Sequence, residues 1–120
     1  MIRRIHTGSP FEAKIGYCRA VVAGGFVHVA GTVGQGETAP EQCRSALETI
    51  GKALAEAGAS FADAVRVTYY LPDAAEFEAC WPVLVETFGD NPPVSTMIET
   101  NLIDPKYRIE IELTTLAPAA

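Results

Sequence analysis

ALAEAGASFADAVRVTYYLPDAAEFEACW, residues 53–81, changes its hydrophobic period twice, and the order of the changes decides the fold. Ala53, Leu54 and Ala57 close a stripe of helical spacing, and Gly58 supplies a residue able to take the left-handed conformation that ends a helix. Residues 64–71 (AVRVTYYL) are β-rich and read as a strand that Pro72 stops. Asp73 and Glu76 then carry the spacing of an N-terminal cap and box, and Phe77, Cys80 and Trp81 open a second helical stripe. The segment predicts helix, strand, helix.

Upstream, the first helix begins near Pro40, where Thr38 and Glu41 form a capping-box signature, and its inward stripe includes Cys43, Ala46, Leu47 and Ile50. Before it lie two β-rich runs, 17–22 (YCRAVV) and 26–31 (FVHVAG), on either side of Gly24-Gly25. A glycine pair supplies the positive φ angles of a tight hairpin. Downstream, the second helix continues through Leu84 and Phe88 to Gly89, with Pro82 weakening or kinking it unless the helix starts nearby. Residues 94–101 and 107–116 (YRIEIELTTL) are predicted as the last two strands, joined through an Asp104-Pro105 turn.

The predicted order is β-β-α-β-α-β-β, an α+β fold with both helices on one face of a mixed sheet. In the last strand Tyr107, Ile109, Ile111 and Leu113 point one way, and Arg108, Glu110, Glu112 and Thr114 the other. Two helices cannot cover two faces. The second face is therefore expected either to meet copies of itself in an oligomer with polar interfacial clefts or to stand solvated.

At 120 residues, with no repeat or linker, the chain is read as one domain over 1–120. A net charge of −6, with nine Lys and Arg scattered along the chain, gives no basic stripe for nucleic acid and favours a small-molecule or protein partner. No apolar run reaches the length of a membrane span, and MIRRIHTGSPFE lacks the apolar core of a secretory signal, so a cytoplasmic protein is expected. Cys18, Cys43 and Cys80 are odd in number and far apart, and read as free thiols. His6 and His28 lack a carboxylate at ligand spacing, so no metal site is expected.

In this order, IGYCRAVVAGGFVHVAGTVG (15–34), the 53–81 segment, NPPVSTMIETNL (91–102) and RIEIELTTLA (108–117) together resemble the RidA (YjgF-type) family over nearly the whole chain. The resemblance implies a chorismate-mutase-like fold and a homotrimer with three clefts between subunits. It also implies a cofactor-independent hydrolysis of reactive enamines and imines to 2-keto acids and ammonia. That reaction asks for a cation to grip the substrate carboxylate, a carboxylic acid to move protons and position water, and a small hydrogen-bonding group for the nitrogen or oxygen end.

Carried onto this chain, the family's acid falls on Glu110. By its residue type alone, Glu110 reads more readily as a surface or interfacial carboxylate paired with Arg108, Arg66 or Arg19, and the resemblance brings the catalytic reading level with it. Tyr17 matches the tyrosine that lines the cleft, and Gly31 and Thr32 match the turn facing the ligand. Where the deaminase pattern has Arg-Ser-Cys after the proline turn, this chain has Val94-Ser95-Thr96, so the carboxylate-gripping arginine is replaced by an apolar side chain. Arg19, two residues from Tyr17, and Arg108, two from Glu110, are the available substitutes. The expected function is hydrolysis or deamination of a small reactive metabolite, with poor activity on 2-iminopropionate. The alternative is a non-catalytic trimer that binds a small molecule. The ribonuclease activity sometimes attached to such proteins has no support in the acidic balance.

Overall fold

The computed structural model describes residues 1–119. Six strands form one sheet: β1 (Arg3–Ile5), β2 (Ala20–Ala23), β3 (Phe26–Val33), β4 (Ala64–Leu71), β5 (Val94–Glu99) and β6 (Glu110–Leu116). They lie in the order β1-β2-β3-β6-β4-β5, with β4 and β5 parallel and every other neighbouring pair antiparallel. Three α-helices accompany them: α1 (Pro10–Ile15), α2 (Ala39–Glu56) and α3 (Trp81–Phe88). This is the predicted α+β fold with a mixed sheet, with one strand and one helix added near the N-terminus.

The hairpin turns at Gly24 and Gly25, whose φ angles of 59° and 86° are both left-handed, and it closes on the Ala23 to Phe26 pair. Such a turn matches the right-handed twist of its strands. Helix α2 starts as predicted: Thr38 has extended backbone, its hydroxyl oxygen accepts from the Glu41 N–H at 3.3 Å, and its hydroxyl lies 3.1 Å from Glu41 Oε1. Ile50 and Leu54 are fully buried on its inner stripe, where each side chain contributes about 1.5 to 3 kcal/mol by leaving water. They pack against Val27, Val67, Ile109 and Ile111, so the core lies between α2, α3 and one face of the sheet.

Several boundaries move. The second helix does not begin at Asp73. Asp73 caps its own turn, its Oδ1 accepting from the Ala75 N–H at 3.0 Å, but residues 73–80 form two 3-10 turns, Ala74–Glu76 and Glu78–Cys80. The α-helix starts only at Trp81, with Pro82 in its first turn, where the missing N–H has no intrahelical partner to lose. The strand predicted from residue 17 enters the sheet at Ala20, and the one predicted to reach 101 ends at Glu99. The last strand starts at Glu110 rather than 107, because Asp104 ties up the preceding turn. Its side chain accepts from Lys106 N–H at 2.9 Å and its carbonyl from Tyr107 N–H at 3.1 Å.

Two features place this turn. Gln42, buried on α2, spends its amide on three backbone groups: Nε2 donates to the Gly36 and Lys106 carbonyls, each at 3.0 Å, and Oε1 accepts from Arg108 N–H at 2.7 Å. Gly34 follows β3 where a Cβ would stand 2.3 Å from the Gln42 carbonyl oxygen and 2.5 Å from Ala46 N. The helix backbone thus rests directly on the end of β3.

The face away from the helices carries Phe26 and His28 of β3, Arg66, Thr68 and Tyr70 of β4, Val94, Thr96 and Ile98 of β5, and Glu112, Thr114 and Leu116 of β6. It mixes polar residues with exposed apolar ones, as the alternation predicts. Among the described residues no helix is long and apolar enough to cross a membrane.

Candidate functional site

Between β3 and β6 the register slips by one residue from the Val29 to Leu113 pair to the Thr32 to Ile111 pair. A bulge of this kind bends the strand and re-aims the side chains beside it. Here it brings Gly31 against Glu110: a Cβ on Gly31 would lie 2.0 Å from Glu110 Oε2. The Glu110 carboxylate thus occupies the space that a side chain at 31 would fill.

Glu110 is partly buried beside a cavity of about 620 Å³. Tyr17, Arg19, Gly31 and Thr32 line it too, with Tyr107, Phe11, Ile15 and Ile103. Arg19 is buried and organises the base. Its Nη1 donates to the Gly31 carbonyl and to Thr32 Oγ1, both at 3.0 Å, and its Nη2 donates to the Tyr17 hydroxyl at 3.2 Å. The guanidinium also stands 5.4 Å from the centre of the Tyr17 ring. Thr32 completes the set by donating its hydroxyl to the Ala30 carbonyl at 2.7 Å.

Burial holds the Glu110 carboxyl above the ordinary carboxylate range, the negative charge of Glu112 adds to this, and Arg19 pulls the other way. Glu112 is engaged by the Tyr70 hydroxyl, which donates to its Oε1 at 2.5 Å. That bond, with burial and the two carboxylates, pushes the Tyr70 hydroxyl up to about 12. The arrangement offers an acid that retains its proton closer to neutrality, a tyrosine hydroxyl and a fixed cation around one cavity.

The residues named from the sequence thus divide. Tyr17, Arg19, Gly31, Thr32 and Glu110 come together at the cavity, whereas Val94, Ser95, Thr96 and Arg108 do not line it. Val94 pairs with Arg66 and Glu110 with Tyr70, four residues further along β4, a separation of about 13 Å along the strand alone. Arg108 turns away because it precedes the strand, and its Nη1 donates to both carboxylate oxygens of Glu76 at 2.8 and 3.0 Å.

The sequence reading missed the wall supplied by residues 7–15. Ser9 has extended backbone and its Oγ accepts from Phe11 N–H at 3.4 Å, while Pro10 begins the helix. Ser followed by Pro is a helix-start signal that was present in the sequence. The segment is held by Glu12, whose buried carboxylate accepts from the Thr7 hydroxyl at 2.6 Å and the Thr7 N–H at 3.2 Å and lies 3.0 Å from His6 Nδ1. Burial pushes the Glu12 carboxyl up, but the hydrogen bonds from Thr7 and His6 outweigh it and leave it below its ordinary value of 4.5. Its stabilisation is therefore present above that value and lost as the pH falls through the depressed one. Glu12→Gln is expected to flatten the acid side of a plot of melting temperature against pH. Glu12→Ala, which leaves the Thr7 donors without an acceptor, is expected to cost about 1 to 3 kcal/mol in urea denaturation.

Among the described residues no group of three or more His, Cys, Asp or Glu side chains is placed to hold a metal ion. Cys43 and Cys80 are buried and free, as read from the sequence, and Cys18 is half-buried.

The model of the family described as endoribonuclease L-PSP matches residues 7–117. A crystal structure of a member of the YjgF/YER057c/UK114 family from Mycobacterium tuberculosis superposes with a TM-score of 0.94 at 39% identity, covering 98% of this chain and all of that one. A YjgF-family structure from Neisseria meningitidis gives 0.83 at 31% identity, covering 100% and 98%. Among curated proteins, a RutC family protein of Pyrococcus abyssi is 35% identical over 80% of this chain and 82% of its own length. The human 2-iminobutanoate/2-iminopropanoate deaminase is 26% identical over 93% and 88%.

Proposed function

This chain belongs to the endoribonuclease L-PSP family, which includes the YjgF and RidA proteins, and from that premise we propose that it hydrolyses a small reactive imine or enamine without a cofactor. The observation that carries the reading is the Glu110 carboxyl held over Gly31 at the edge of a cavity based on Tyr17, Arg19 and Thr32. Water adds to the C=N carbon as Glu110 takes one of its protons and passes it to the nitrogen, which gives a carbinolamine. Glu110 then takes the carbinolamine hydroxyl proton and passes it to the nitrogen as well, so that ammonia leaves and a carbonyl remains. Burial and the neighbouring Glu112 raise the Glu110 carboxyl above its ordinary value, which favours its service as the acid, while Arg19 opposes the rise. The human relative's name supports the reaction class.

In this reading the protein works as a homotrimer. Phe26, Val94, Ile98 and Leu116 are exposed apolar side chains on a sheet face that no helix covers, a surface suited to contact with further copies. A neighbouring copy then brings its Val94-Ser95-Thr96 to the open side of the cavity. RNA as a substrate finds no support in a net charge of −6.

Val94 sets the specificity. An apolar side chain at the place where the deaminase pattern carries an arginine grips no carboxylate, and a charge-assisted hydrogen bond contributes about 1.5 to 3 kcal/mol. Freshly generated 2-iminopropionate is therefore expected to be hydrolysed more slowly than an uncharged imine of similar size. Val94→Arg is expected to raise the rate on 2-iminopropionate by about tenfold to several hundredfold. Ammonia release followed with a coupled assay reads both. A wild-type rate on 2-iminopropionate above that on the uncharged imine, unchanged by Val94→Arg, overturns the specificity.

A further inference from the structure

Arg19 has more donors than partners. A guanidinium carries five N–H groups, and Gly31, Thr32 and Tyr17 accept three hydrogen bonds from Nη1 and Nη2. Nε is buried and has no partner among the described residues. Proteins seldom leave a buried donor unpaired, and an exception calls for an explanation. Glu110 is the carboxylate that lines the same cavity as Arg19, and it feels the Arg19 charge. Its carboxylate lies against Gly31, and the Gly31 carbonyl is one of the groups that Arg19 holds. The acid and the cation thus both reach Gly31.

We propose that Arg19 is a positioning residue for Glu110, and that its unbonded Nε–H receives the Glu110 carboxylate once that group has given up its proton. Rotation about the Glu110 side-chain bonds makes the contact, while the hydrogen bonds to Gly31, Thr32 and Tyr17 keep the guanidinium still. The proton moves from the Glu110 carboxyl to the substrate nitrogen, and the electron pair stays on the carboxylate. Arg19 stabilises that charge until Glu110 takes its next proton, from the carbinolamine hydroxyl or from the next water. The protonated acid over Gly31 and the ionised acid on Arg19 are then two resting places in one cycle.

The other groups that bear on Glu110 agree with this role. Glu112 on its own strand opposes ionisation, Tyr70 on β4 is committed to Glu112, and Tyr17 is held by Arg19. β3 presents only Gly31, Thr32 and Val33 there, none of them titratable. Arg19 is the cation that favours the ionised form.

The role of Glu110 in catalysis rests on the proposed function, but the pairing is tested without turnover. In the wild-type protein, nuclear magnetic resonance of the Arg19 Nε–H and of the Glu110 side-chain carboxyl carbon is followed across a pH titration. The two signals are expected to move with one midpoint, and Glu110→Gln is expected to abolish the Nε–H response. In Arg19→Met the Glu110 midpoint is expected to rise, and in Arg19→Lys to return toward wild type. A Glu110 titration that leaves the Nε–H signal still overturns the pairing, as does an unmoved midpoint in Arg19→Met. If Arg19→Met does not fold, the wild-type and Glu110→Gln comparison alone decides. Coupled signals in a protein that hydrolyses nothing keep the pairing and remove the hydrolase, and turnover without coupling does the reverse.

Discussion

Glu110→Gln is expected to lower turnover of the best imine substrate by about a hundredfold to ten-thousandfold, with the fold intact. Glutamine keeps the shape that fills the space over Gly31, so the bulge between β3 and β6 has no reason to change. What it loses is the proton, and an amide can neither take one from water nor return one to nitrogen. Steady-state ammonia release measures the loss, and a circular dichroism melt checks the fold. Turnover that survives the substitution removes Glu110 from the mechanism. If no substrate turns over in the wild type, yet small ligands raise its melting temperature, the protein is a binding trimer that has kept the cleft. Binding to the native state alone raises stability in proportion to the logarithm of ligand concentration, and this measurement recognises it.

Gly34→Ala is expected to destabilise the fold by about 3 kcal/mol or more, a fall in melting temperature on the order of 10 °C. The added methyl would meet the Gln42 carbonyl oxygen at 2.3 Å and the Ala46 nitrogen at 2.5 Å, and both belong to the backbone of α2. Backbone cannot turn aside as a side chain can, so the helix must move away from β3. The shift also strains the three hydrogen bonds through which Gln42 holds Gly36, Lys106 and Arg108. Since Arg108 lies two residues before Glu110, the same substitution should weaken catalysis below the melting transition. Gly31→Ala makes the contrast. There the obstacle is the movable end of the Glu110 side chain, so activity is expected to fall while stability changes far less.

The helices and strands were legible where a local rule acts alone. Thr38 caps α2, Gly24 and Gly25 turn the hairpin, and the alternation of Ile109, Ile111 and Leu113 with Glu110, Glu112 and Thr114 separates the two faces of the sheet. The missed helix at Pro10–Ile15 had its signal in Ser9-Pro10, but six residues carry too short a stripe to stand out by periodicity. β1 is three residues long, and its pairing with β2 is a contact that no pattern within Arg3–Ile5 announces. The start of α3 depended on whether Asp73 or Cys80 led into the helix, and Pro82 decides it by fitting only the first turn.

Within the candidate site, the residue types came from the sequence and their grouping from the fold. A one-dimensional pattern names Glu110, Tyr17, Gly31 and Thr32 through family resemblance, and it finds Arg19 and Arg108 equally near. The fold separates the two arginines. A bulge and a hairpin bury Arg19 under Gly31, whereas the Asp104 turn and Glu76 draw Arg108 to the surface. By itself the sequence determined the order of elements from the hairpin onward and the buried face of the sheet, because periodicity and caps are local properties. Only the tertiary structure decided which charge stands beside Glu110 and which donor is left unpaired, because those depend on chain segments some 90 residues apart meeting at one point.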